Sequence, residues 1–263
     1  MIVEALRHAL IPCPKRLKRL GVLHDLIALE ARAKRQRSAW APHLDASRNA
    51  VADWAERTPR RKLAVIAGSG LFVGIPLPHL AATFERVLCL DLFHMPAAQR
   101  LARRFPNVSL IDHDVLGLLQ HLPEALAAGR LPEPVASLPF AAEADLLVSA
   151  NMATQLPLPA MEAAEAQGGF SPTEITAWGR SLVEAHFASL TERPGVTGLI
   201  TDTDRLKQPV GSTETVDWWD LLEGAALPEL MDGREWTWDI ALAPEEERHF
   251  DYRHRVVAGL LST

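Results

Sequence analysis

The sequence predicts an α/β fold: a doubly wound, mostly parallel seven-stranded sheet closed by a C-terminal antiparallel hairpin, with helices ahead of it. Three observations carry this reading. Short apolar runs alternate with helical stretches from residue 63 to about residue 201, the pattern of strands buried on both faces and joined by helices. Residues 235–242 and 250–257 instead alternate between apolar and polar, as half-exposed antiparallel strands do. Residues 1–60 carry apolar positions at helical spacing, so two units are expected, a helical cap over 1–60 and a sheet domain over 61–263.

In the cap, Leu17, Leu20, Leu23, Leu26 and Ile27 recur at the spacing of one helix face, with Lys18, Arg19 and Asp25 opposite. A second helix is expected from about Asp45, with Val51 and Trp54 inward. The first strand, 63–67, ends at Gly68. Residues 76–83 read as a short helix with Pro78 early, where a missing N–H costs least. Strand two, 86–90, ends at Asp91, and residues 96–104 read as a helix. Strand three, 108–111, precedes Asp112, His113 and Asp114, and 115–128 reads as helical. Strand four, 145–149, leads into Ala150 and Asn151, and 157–169 reads as irregular or partly helical. Ser171, Pro172 and Glu174 form a capping box that starts a helix running to about Leu190. Strand five, 196–201, ends at Asp202, Thr203 and Asp204. A polar turn around residues 243–248 joins the two strands of the closing hairpin.

A hydrophobic content of 48% with 23% charged residues is that of a globular chain. No apolar run reaches the roughly 18–20 residues that span a bilayer. Glu4, Arg7 and His8 interrupt the apolar stretch that a secretion signal would need, so a cytoplasmic protein is expected. Cys13 and Cys89, the only cysteines, suggest neither a disulfide nor a metal site. Charge is uneven: residues 1–62 hold fourteen Lys/Arg against six acids, and the rest of the chain is acidic. Such a basic cap either meets an anionic partner or is attracted to the acidic body of its own chain, and the second reading is favoured.

Ligands of parallel α/β sheets bind at the carboxyl ends of the strands. Here those ends carry Gly68-Ser69-Gly70, Asp91, Asp112 and Asp114, Ser149-Ala150-Asn151, and Asp202 and Asp204. Gly68 and Gly70 allow a sharp turn and a close approach of backbone to a ligand. The spacing departs from G-x-G-x-x-G, because Val73 stands where the third Gly would be and Gly74 follows one position late. Asp91, 21 residues past Gly70, is placed to accept the hydroxyl hydrogens of a ribose. No G-x-x-x-x-G-K-[ST] loop, H-E-x-x-H pair or paired C-x-x-C occurs, which argues against P-loop hydrolysis and zinc chemistry.

The order Gly68-x-Gly70, Asp91, Asp114, Asn151 and terminal hairpin resembles the class I, Rossmann-like S-adenosylmethionine-dependent methyltransferases over residues 60–260. The resemblance implies S-adenosylmethionine as cofactor, with Gly68, Ser69 and Gly70 under its methionine part. It implies Asp91 on the ribose, Asp114 and the Val115 backbone at the adenine, and Asn151 near the methyl group and acceptor. Two positions depart from the family pattern: Ile66 replaces the acid before the first glycine, and Phe72 replaces the third glycine. Asn151 and His94 are the candidate catalytic residues, and Trp40 and His43 are candidates to line the acceptor pocket, with core packing favoured for Trp40. His186 reads as packed or solvated rather than catalytic. A small-molecule acceptor is expected, with a nucleic acid left open by the basic segment. Two alternatives stand beside this reading, a methyltransferase fold that binds without catalysing and a nicotinamide-dependent oxidoreductase.

Overall fold

The computed structural model describes residues 2–191 and 193–262. Met1 and Thr263, which bound the two expected units, and Glu192 lie outside the described residues. Four helices open the chain: α1 (Ile2–Leu10), α2 (Lys15–Arg19), α3 (Val22–Arg35) and α4 (Arg37–Arg57). The last begins eight residues before the expected start at Asp45. Pro42 hides it in the sequence, since it lacks an N–H and reads as a breaker, yet here the helix carries it in its interior with the ring exposed.

Then strands and helices alternate: β1 (Leu63–Ala67), α5 (Leu77–Thr83), β2 (Arg86–Asp91), α6 (Pro96–Ala102), β3 (Val108–Asp112), α7 (Leu122–Ala127), β4 (Leu146–Ala150), α8 (Leu158–Gln167) and α9 (Pro172–Leu190). The chain closes with β5 (Val196–Pro209), β6 (Asp217–Asp220), β7 (Leu230–Ala241) and β8 (Phe250–Leu261). The eight strands form one sheet in the order β3-β2-β1-β4-β5-β8-β7, with β6 paired to β5. β1 to β5 are mutually parallel, and β6, β7 and β8 run antiparallel to their neighbours.

The sheet thus has one strand more than expected. β6 was missed because Asp217-Trp218-Trp219-Asp220 is short, bounded by acids and largely exposed, so it carries no burial pattern. β5 is also longer: Asp202 and Asp204 lie inside it, and it continues to Pro209 by pairing with β8 and β6. The expected helix over 115–128 shrinks to α7, since residues 115–121 form turns in which Gly117 takes a positive φ of 65°. Residues 158–167, by contrast, are a full helix, α8. The capping box of α9 forms as read, with the Ser171 hydroxyl accepting from the Glu174 amide.

β1 shows why the parallel strands are apolar without interruption. Ala64 and Ile66 pack toward α4 and α5, while Leu63, Val65 and Ala67 pack on the opposite face with Val183, Phe187 and Leu190 of α9. A third cluster joins the opening helices, through Leu17, Leu23 and Ile27, to Phe93, Met95 and Leu116 just beyond β2 and β3. The N-terminal helices are therefore anchored at the carboxyl edge of the sheet. α4 lies across β5, β7 and β8, with Trp40, Val51 and Trp54 in the core they share.

β5 accommodates α4 at Gly198. A Cβ there would sit 2.2 Å from the Trp54 ring, and that ring is itself buried. Gly198→Ala is expected to lower stability by about 1–3 kcal/mol through overpacking. Urea unfolding measures it, and an unchanged midpoint would mean that α4 does not dock on β5 as described.

Candidate functional site

The carboxyl ends of β1, β2 and β3 are tied together by side chains. After β1 the chain turns at Gly68 and Gly70, with φ of 78° and 50°. Gly68 has no room for a side chain, since a Cβ would meet the Ala150 carbonyl oxygen at 2.4 Å. Gly70 is different: its positive φ favours glycine, and an added Cβ would only touch the Asp91 carboxylate at 3.8 Å. Phe72 occupies the position of the missing glycine and keeps the left-handed backbone, φ 61°. Such a conformation costs a larger residue roughly 1–2 kcal/mol, which is offset by burial of the ring beside Ile75 and Leu77, worth about 1.5–3 kcal/mol.

Asp91, at the end of β2, accepts the Gly70 amide at 2.6 Å and the Leu92 amide at 2.8 Å, and the Phe93 amide also bonds to it. Burial raises its carboxyl above the usual range, against the opposing pull of His94 and these amides. A carboxylate offers about four acceptor positions, so the backbone bonds leave it capacity for a further donor. Ser69 is buried and hydrogen-bonds His94 Nε2 at 3.0 Å. His94 Nδ1 in turn lies 2.7 Å from Asp112 Oδ1. The carboxylate accepts the Nδ1 proton, while the Ser69 hydroxyl at Nε2 also faces the Leu90 carbonyl at 3.4 Å. Both ring nitrogens of His94 are thus engaged, in a chain that binds three strand ends together.

Asp114 accepts the Leu119 amide at 2.7 Å and closes the turn after β3. Val115 beside it is buried, its carbonyl taken by the Ser137 amide. Asn151, just beyond β4, also has a positive φ, 50°, and donates its amide to Ile200. Its side chain reaches α4, where Nδ2 faces His43 Nε2 at 3.2 Å.

The structure adds a second group of residues around this contact. His43 is buried, stacks on Trp238 at 4.1 Å between centroids, and receives the Trp236 indole N–H on Nδ1 at 3.0 Å. An indole N–H only donates, so the His43 proton sits on Nε2, and Asn151 satisfies it by presenting its carbonyl oxygen. The Asn151 NH2 then turns toward the position where the amide has no partner among the described residues. Trp40 is core, as favoured, and donates to the Ile240 carbonyl at 3.0 Å. His254 of β8 packs edge-on to Trp238, and its Nδ1 lies 2.7 Å from Asp202 Oδ2. Asp202 also accepts the Thr154 hydroxyl at 2.5 Å. Burial works against its charge, yet the His254 and Thr154 hydrogen bonds hold its carboxyl below the usual range. Sequence spacing concealed this pair, because residues 202 and 254 meet only through the β5–β8 register and a bulge between Asp202 and Asp204.

Among the described residues no cluster of His, Cys, Asp or Glu is arranged to hold a metal ion, and no helix is long and apolar enough to cross a membrane. Five parallel strands with the order 3-2-1-4-5, extended by an antiparallel pair whose last strand lies innermost, decide the architecture. The fold is a Rossmann-like, mostly parallel α/β sheet. No protein-family model matches the chain, and no curated protein does. Among solved structures it is similar to the Burkholderia thailandensis 1,6-didemethyltoxoflavin-N1-methyltransferase with bound 1,6-didemethyltoxoflavin and S-adenosylhomocysteine. That likeness has a TM-score of 0.43 and 13% identity, covering 95% of this chain and 91% of that one. It is also similar to the N-methyltransferase NodS from Bradyrhizobium japonicum WM9, with a TM-score of 0.40, 14% identity and 83% and 97% coverage. DhpI in complex with S-adenosylhomocysteine gives a TM-score of 0.37, 14% identity and 95% and 100% coverage.

Burial drives the pKa of His43 and of His186 down to about 4; His186 packs in α9 against the Ser149 hydroxyl, as expected for a core histidine. Unfolding returns each ring to about 6.5, so between pH 6.5 and 4 the unfolded chain binds more protons. Stability is therefore full above pH 6.5 and falls as pH drops toward 4, by on the order of 3 kcal/mol for each ring. Denaturant midpoints across this range check it: His43→Gln and His186→Gln should each flatten the slope, and unaltered slopes would contradict the assignment.

Proposed function

We propose that the chain is an S-adenosylmethionine-dependent methyltransferase acting on a small-molecule acceptor. The observation that carries the reading is the Gly68–Gly70 turn fastened to the Asp91 carboxylate, at the carboxyl edge of a sheet with this strand order. The residues present fit the cofactor. Gly68, Ser69 and Gly70 form a cradle that a side chain at 70 would narrow, and Asp91 keeps an acceptor position for a ribose hydroxyl. On this reading Asp114 and the Val115 backbone would meet the adenine, and Asn151 would face the methyl group and the acceptor. When bound, the cofactor supplies an electrophilic methyl group. The protein's part is to orient the acceptor in line with it and to exclude water.

The state of the basic cap supports a small acceptor over a nucleic acid. Arg32 and Arg35 pair with Glu245 and Glu246 at the hairpin turn, Arg57 with Asp232 and Arg60 with Asp145. Within the cap, Arg7 and Lys34 share Glu30, and Arg48 pairs with Asp45. Much of the cationic surface is thus turned onto the chain's own carboxylates, the intramolecular attraction favoured from the charge distribution.

Calorimetry with S-adenosylhomocysteine tests the reading. Saturable binding is expected, and Asp91→Ala should weaken it by about tenfold or more, the worth of one charged hydrogen bond. Absence of heat at millimolar ligand would refute it.

A further inference from the structure

His254, Trp238 and Asn151 belong to different strands and a strand-end loop, yet they are joined by a single run of contacts. Asn151 meets His43, His43 stacks on Trp238, and Trp238 packs edge-on to His254. Each of the three carries a buried polar atom with no partner among the described residues: Nε2 of His254, Nε1 of Trp238 and one amide atom of Asn151. Ser47, one turn beyond His43 on α4, adds a fourth in its hydroxyl. His254 and Trp238 are only 5% and 6% exposed. Leaving such groups unpaired costs roughly 1–3 kcal/mol each, so their occurrence on residues in mutual contact points to an occupant.

The chemistry of the set defines that occupant. Asp202 accepts the Nδ1 proton of His254, so in the neutral ring Nε2 presents a lone pair. Trp238 presents an N–H that can only donate, and Asn151, with its oxygen on His43, presents an NH2. A hydroxyl or amine N–H satisfies this arrangement by donating to His254 Nε2 while accepting from the indole or the amide.

We infer that His254 is the catalytic residue that takes the acceptor's proton, and that Asp202, braced by Thr154, is its positioning partner. This rests on the methyltransferase reading. As the acceptor oxygen or nitrogen forms its bond to the methyl carbon of the sulfonium donor, the carbon–sulfur bond breaks with its electron pair going to sulfur. The acceptor's O–H or N–H proton passes to His254 Nε2, and the Asp202 carboxylate balances the resulting imidazolium charge. The acceptor class is therefore one whose nucleophilic atom carries a removable proton, a phenol-like hydroxyl or an amine.

The test begins without cofactor. In protein labelled with 15N-histidine, His254 should show a protonated Nδ1 and a bare Nε2. Added phenol should shift the Nε2 resonance saturably, whereas toluene, which lacks the hydroxyl, should leave it in place. His254→Gln should weaken phenol binding by about tenfold, the loss of one hydrogen bond to a charged or strongly polar partner. Asp202→Asn should move the His254 proton to Nε2 and abolish the phenol-dependent shift. A wild-type Nε2 that is already protonated, or one unmoved by phenol because only a resident water occupies the site, would overturn the inference. Since these readings need no donor, a failure here stands apart from a failure to bind S-adenosylhomocysteine.

Discussion

The arrangement depends on how α4 lies across the antiparallel end of the sheet. Its Trp54 ring fills the space over Gly198, and its Trp40 indole is hydrogen-bonded to the Ile240 carbonyl in β7. These two contacts fix the helix at separate points along its length. His43 lies between them and is thereby held against both Trp238 and Asn151. Displacing the helix would strip cover from Trp238 and His254 together, so the packing that stabilises this part of the fold is the same packing that shapes its buried polar group.

Along the sheet two kinds of site construction meet. The ends of β1, β2 and β3 are joined by hydrogen bonds from backbone and side chains, with Asp91 and the Ser69–His94–Asp112 chain as the ties. The ends of β4 and β5 and the hairpin instead meet through aromatic packing, and their polar atoms are left with bonding capacity. The first region is built to hold a shape. The second keeps unpartnered polar atoms, on which the proposed acceptor site rests. β5 makes the junction, because it leaves its parallel neighbour after Ile200 and continues between β8 and β6.

Much of the sheet was legible because burial on both faces leaves an unmistakable run, as in Leu63–Ala67. The hairpin was legible from strict alternation, which puts Tyr252, His254 and Val256 on one buried side. The strand-end residues could be located from the same pattern, since Gly68, Asp91 and Asn151 follow the runs directly. What escaped notice depended on tertiary context. β6 pairs with an exposed edge and needs no apolar face, and α8, though rich in helix-forming alanine, has no apolar stripe of helical period to announce it. Phe72 holds a glycine's backbone conformation only because its ring has a buried place to go. The Asp202–His254 pair needs a register and a bulge, neither of which local sequence encodes.

The ties at Ser69 have a consequence for recognition. A glycine-bearing turn left to itself samples many conformations, and a ligand that selects one of them must bear the entropy of ordering it. Here the turn is already fastened through Ser69 to His94 and through Gly70 to Asp91. That ordering cost was met when the chain folded. Whatever settles over Gly70 meets a surface prepared in advance, so its affinity reflects the contacts it makes rather than the disorder it must remove.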